Sequence, residues 1–85
     1  MTYRVEIKQS ARKALLALPH DMRRRLGAAI DALASDPHRP GTRKLTGSHL
    51  LYRVRVGDYR VVYEIHDNQL LIVVVKLGHR REIYR

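Results

Sequence analysis

The stretch "YRVRVGDYRVVYEI", Tyr52–Ile65, decides the fold. Two runs of alternating apolar and polar residues flank Gly57-Asp58, a pair suited to a two-residue hairpin turn with Gly57 at the first central position of type II′. Turn length sets register. Val56 then faces Tyr59, Arg55 faces Arg60, Val54 faces Val61, Arg53 faces Val62, and Tyr52 faces Tyr63. Alternation puts Tyr52, Val54, Val56, Tyr59, Val61, Tyr63 and Ile65 on one side and Arg53, Arg55 and Arg60 on the other.

Working outward, "QLLIVVVKL" reads as the next strand, entered through a turn at Asp67-Asn68 that adds Leu70, Ile72 and Val74 to the apolar face. Upstream, "SDPHRPGTRK" (Ser35–Lys44) carries two prolines and a glycine and reads as a loop. Before it, Met22, Leu26, Ala29, Ile30 and Leu33 recur at helical spacing over His20–Ala34. "ARKALLAL" forms a shorter helix with Ser10 as its N-cap, and Pro19 ends that helix or opens the next. "YRVEIK" (Tyr3–Lys8) alternates as an N-terminal strand. The class is α+β: a strand, a helical hairpin, then a three-strand antiparallel meander in one sheet, with residues 1–85 as a single domain.

Seventeen Lys and Arg against eight Asp and Glu give a net charge of +9, which points to a polyanionic partner. The absence of cysteine excludes disulfides and thiolate metal sites and fits a cytoplasmic setting. The N-terminus has no apolar signal region, and "LLIVVV" is too short to span a bilayer as a helix, so no membrane role is expected. The five histidines lack carboxylates at ligand spacing, so no metal is expected, and no glycine-rich phosphate loop is present.

Opposed like charges on a sheet destabilise by about 0.2–1 kcal/mol per pair. Three arginines on one face therefore serve poorly as a stability device and well as a cradle for phosphate, which guanidinium grips through paired N–H donors. The alternative is a solvated face, its arginines splayed or paired with Glu64 and Glu82. "KLGHRREIYR" then brings His79, Arg80, Arg81 and Tyr84 near the same region. A histidine and a phenol beside cations can exchange protons near neutral pH. With no nucleophile motif and no metal constellation, what remains is chemistry on RNA, whose ribose 2′-OH is its own nucleophile. Arg23, Arg24 and Arg25 fall largely off the helical apolar stripe, as a solvated face or as a contact for ribosomal RNA.

Lys44–Tyr84, with "KL.G…YR.R.GDYRVVYEI", a strand, and "GHR…Y", resembles the RelE branch of the RelE/ParE toxin superfamily; "LPHDMRRRLGAAIDALASDP" matches in pattern. The resemblance implies the compact RelE-like fold and a ribosome-dependent endoribonuclease that cuts mRNA in the A site without metal or cofactor. It implies a RelB-like antitoxin partner, with DNA contacted only indirectly through the antitoxin complex. Carried over, Arg60 and Arg80 hold or polarise the scissile phosphate, with Arg80 as proton donor, and Tyr84 is the general base. Arg53 and Arg55 stand where many members have lysines; they, Arg81 and His79 contact phosphate or RNA. His79 shares the candidacy for general base. Many members continue into a C-terminal helix past the position of Arg85. Two other readings stay open: a ParE-like inhibitor of DNA gyrase, and a basic binding module without activity.

Overall fold

The computed structural model describes residues 2–38, 42–45 and 51–79. Two helices pack on one face of a five-stranded sheet: β1 (Arg4–Ile7), α1 (Gln9–Leu16), α2 (His20–Leu33), β2 (Arg43–Lys44), β3 (Leu51–Val56), β4 (Tyr59–His66) and β5 (Leu71–His79), with a 3₁₀ turn at Asp67–Gln69. Strand order is β1-β5-β4-β3-β2. β1 runs parallel to β5, and the other pairs are antiparallel. The expected α+β architecture holds.

The N-terminal strand passes into α1 without a side-chain cap. The Lys8 amide donates to the Val74 carbonyl (2.9 Å), and Lys8 itself is the N-cap. This sheet bond starts the helix two residues ahead of the expected "ARKALLAL", so Ser10 lies inside the helix and caps nothing. Pro19 opens α2 as its N-cap, and its carbonyl accepts the Arg23 amide (2.9 Å). Asp21 in the first turn suits the helix dipole.

Leu26, Ile30 and Leu33 of α2 are buried against Val54, Val61, Tyr63, Ile65, Ile72 and Val74. Each large aliphatic chain so buried contributes roughly 1.5–3 kcal/mol. α1 adds Ala11 and the partly buried Ala14 and Leu15. The Tyr63 hydroxyl, at the centre of the core, donates to the Pro37 carbonyl (2.9 Å) and lies 3.1 Å from Thr42 Oγ1. Having given its one proton to Pro37, it accepts from Thr42. These bonds tie both ends of the loop after α2 to β4.

Two expectations need correction. The stretch Ser35–Lys44, expected as loop, ends in β2, which pairs Arg43 with Arg53 and Lys44 with Tyr52. A two-residue strand is too short to show a period; its pairing with β3 creates it. The turn between β4 and β5 is longer than two residues: Asp67–Gln69 form the 3₁₀ turn, and Leu70 follows in the left-handed region at φ 48°. Leu70 therefore leaves the strand face. Ile72 and Val74 still face the helices, because lengthening the loop by two residues preserves strand parity. Among the described residues, no helix is long and apolar enough to cross a membrane.

Candidate anion-binding site

The β3–β4 register is the one the turn length implies, from Val56 opposite Tyr59 to Tyr52 opposite Tyr63. Gly57 has φ +61°, and Asp58 has no positive φ, the combination of a type II′ turn. Arg53, Arg55 and Arg60 thus share the sheet face turned away from the helices. β2 brings a fourth, Arg43, directly across from Arg53. Together they line a groove of about 400 Å³.

Backbone carbonyls help hold the guanidiniums. Arg55 Nε donates to the Gly57 carbonyl (3.0 Å), and Arg60 Nη1 donates to the Tyr59 carbonyl (3.2 Å). Glu64, on the same face and weighed as a counter-ion, meets the His66 ring instead, with Oε1 3.0 Å from Nε2. The groove can bind a phosphodiester through charge-assisted and bidentate hydrogen bonds. Its arginines cannot serve as bases, because guanidinium stays protonated.

A β-bulge decides what β5 adds. Val62 pairs with Lys76 but Tyr63 pairs with Val74, so Val75 is the extra residue. Unbroken alternation from Ile72 and Val74 would turn residue 76 inward and residue 79 outward. The bulge reverses both: Leu77 is buried opposite Val61, Lys76 is exposed beside Val62, and Gly78 lies opposite Arg60. His79, expected close to the arginine face, pairs instead with Tyr59. The two rings meet edge-on with centroids 5.6 Å apart, on the helix side. Arg80, Arg81, Glu82 and Tyr84 lie outside the described residues.

The three arginines of α2 separate. Arg23 Nη2 lies 3.2 Å from His20 Nδ1. Arg25 leans on Met22 (Nη1 to Sδ 3.7 Å) and reaches the hairpin tip, its Nη2 3.3 Å from where Gly57 would carry a Cβ. Arg24 and Arg25 line a second cavity of about 430 Å³ with Asp21 and Ala28. The two are of similar size, but Asp21 puts a carboxylate in this one, so a polyanion fits the four-arginine groove better. Among the described residues, no three His, Cys, Asp or Glu side chains gather as metal ligands.

Sequence reading missed Arg43 and Lys76. Arg43 sits in a stretch dominated by loop formers, and Lys76 obeys a period that the bulge breaks. Their basic character was the available signal, but their face was not.

Comparison with known proteins places this geometry in a family. Residues 5–84 match the family described as ParE toxin of type II toxin–antitoxin system, parDE. Toxin RelG of Mycobacterium tuberculosis is 34% identical over 92 residues, covering 100% of this chain and 99% of that protein. A protein named putative toxin RelE1, from Methanocaldococcus jannaschii, is 30% identical over 88 residues, covering 100% and 98%. The crystal structure of the archaeal RelE–RelB complex from Pyrococcus horikoshii contains a chain that superposes with a TM-score of 0.83 at 39% identity, covering 96% of this chain and 99% of that one. With its sheet, its helical pair and nearly its whole length matched, the chain belongs to the RelE/ParE superfamily, the toxins of type II toxin–antitoxin systems.

Proposed function

We propose that this chain is a RelE-type toxin that cleaves mRNA on the ribosome and so arrests translation. The observation that carries the reading is the four-arginine groove on the sheet face turned away from the helices. Like charges opposed there work against folding and suit a bound phosphodiester.

In the reaction, the ribose 2′-oxygen attacks the scissile phosphorus, forming the 2′,3′-cyclic phosphate as the bond to the 5′-oxygen breaks. Arg60 holds a non-bridging oxygen and stabilises the negative charge that builds there. Arg53 and Arg55, with Arg43 beside them, fix the backbone on either side. Tyr84 takes the proton from the 2′-OH and Arg80 supplies one to the leaving 5′-oxygen, roles carried from the family resemblance. Arg81 adds positive charge to the RNA path. His79, turned toward Tyr59, is given no proton-transfer role. Arg25, with Arg24, contacts ribosomal RNA next to the hairpin tip. Neither metal nor cofactor takes part.

A cognate antitoxin of RelB type covers the toxin when it is inactive, a reading supported by the likeness to the RelE chain of a RelE–RelB complex. Primer extension on an mRNA in a purified translation system, with and without ribosomes, tests the proposal. Cuts within A-site codons that require ribosomes are the expected result; intact mRNA with normal translation would refute it. The competing reading, inhibition of DNA gyrase, draws on the ParE description of the matched family. It predicts DNA damage before any fall in protein synthesis.

A further inference from the structure

We infer that Lys76 is a further phosphate-binding residue, which the β5 bulge turns onto the arginine face. The inference rests on the phosphate-binding reading of the groove and extends its cationic surface by one strand. Three observations carry it.

The first is register. Arg43 pairs with Arg53, Arg53 with Val62, and Val62 with Lys76, one row across β2, β3, β4 and β5. Adjacent strands lie about 4.8 Å apart, so the Cα atoms of Lys76 and Arg53 are separated by about 10 Å. Long cationic side chains at the two ends of that span can hold neighbouring phosphates of one strand. The second is the surface between them. Val62 is only 8% exposed although it lies on the outer face. It is nearly covered, with basic side chains on both sides of it in the row.

The third is the bulge itself. Strict alternation after Val74 would turn a lysine toward a core that, among the described residues, contains no buried charged group. One extra residue moves Lys76 out and Leu77 in. A bulge re-aims side chains, and this one re-aims a cation toward the groove. Lys76 is not part of the groove's wall as formed by the four arginines. It stands one strand beyond Val62, where a phosphate neighbouring the scissile one would lie on an RNA backbone crossing the sheet. Lysine suits this peripheral position, because its compact ammonium on a flexible stem meets phosphate as a point charge.

The test is binding of a short single-stranded RNA to the full chain across a salt series, followed by fluorescence anisotropy. Wild type, Lys76→Gln, Lys76→Arg and Arg53→Gln are compared, and thermal melting checks that each is folded. For a single strand, each phosphate that a variant no longer neutralises lowers the magnitude of the log–log salt slope by about 0.7. Lys76→Gln and Arg53→Gln are each expected to lower it by about that amount, and Lys76→Arg to retain the wild-type slope. If Arg53→Gln flattens the slope and Lys76→Gln leaves it unchanged, Lys76 holds no phosphate while the groove reading stands. If neither changes the slope, or the wild type shows no salt-dependent binding, this inference falls together with the reading on which it rests.

Discussion

The two ends of β4 are built on opposite principles. At the hairpin end, Arg60 lies directly across from Arg55, with Arg53 and Arg43 close by in one groove. At the other end, polar groups have complementary partners: Glu64 with His66, and the Tyr3 hydroxyl with Asp67 Oδ1 at 2.5 Å. Just inside, Tyr63 joins Pro37 and Thr42. One end gathers cations on a single face, held in part by backbone carbonyls; the other joins loop, strand and turn. That contrast within one eight-residue strand sets the surface proposed to bind RNA apart from the one that joins these elements.

The strongest way to break the contrast is Arg60→Ala. Loss of one preorganised donor to a developing oxyanion costs about 10²–10³-fold in rate. Ribosome-dependent cleavage should fall by that factor, with the melting temperature unchanged or slightly raised. A large fall in melting temperature would show that Arg60 belongs to the folding end after all. Tyr63→Phe is the reciprocal experiment. It leaves the buried Pro37 carbonyl without its donor, at a cost of about 1–3 kcal/mol in chemical denaturation. Cleavage per folded molecule should stay at the wild-type level.

Smaller effects sharpen the comparison. Arg55→Gln relieves the opposed pair with Arg60 and should stabilise the chain by about 0.2–1 kcal/mol, while weakening RNA binding. Destabilisation would mean that the bond from Arg55 Nε to Gly57 outweighs the repulsion. The smallest effect belongs to Tyr3, whose pKa is raised above the ordinary 10.0 first by its hydrogen bond to Asp67, then by burial and by the Asp67 charge. A folded-state pKa above the unfolded one contributes stability that is complete below about pH 10 and lost as pH rises through the folded value. The difference in unfolding midpoint between wild type and Tyr3→Phe should therefore be constant near neutrality and shrink only in alkaline solution. A difference that shrinks in acid instead would assign it to Asp67.

Much of this was legible in the residues. Gly57-Asp58 with its flanking alternation dictated the hairpin register, because a two-residue turn admits one pairing and side chains alternate strictly from it. Arg53, Arg55 and Arg60 could be grouped on that basis. The spacing of Leu26, Ile30 and Leu33 likewise marked the buried stripe of α2. The α1 boundary was not legible, since it is set by a bond between Lys8 and Val74, residues far apart in sequence.

What the sequence by itself determined, then, is whatever follows from local periodicity and turn chemistry: the α+β order, the hairpin and three of the four groove arginines. Only the tertiary structure decided the rest. Arg43 joins the groove because β3 offers an edge on which two residues can pair. Lys76 comes to the arginine face, and His79 leaves it, because one residue of β5 is squeezed out of register against β4. A bulge arises where two strands must both keep apolar residues inward while differing in length by one. That is a property of the pair of strands, and neither strand's own pattern contains it.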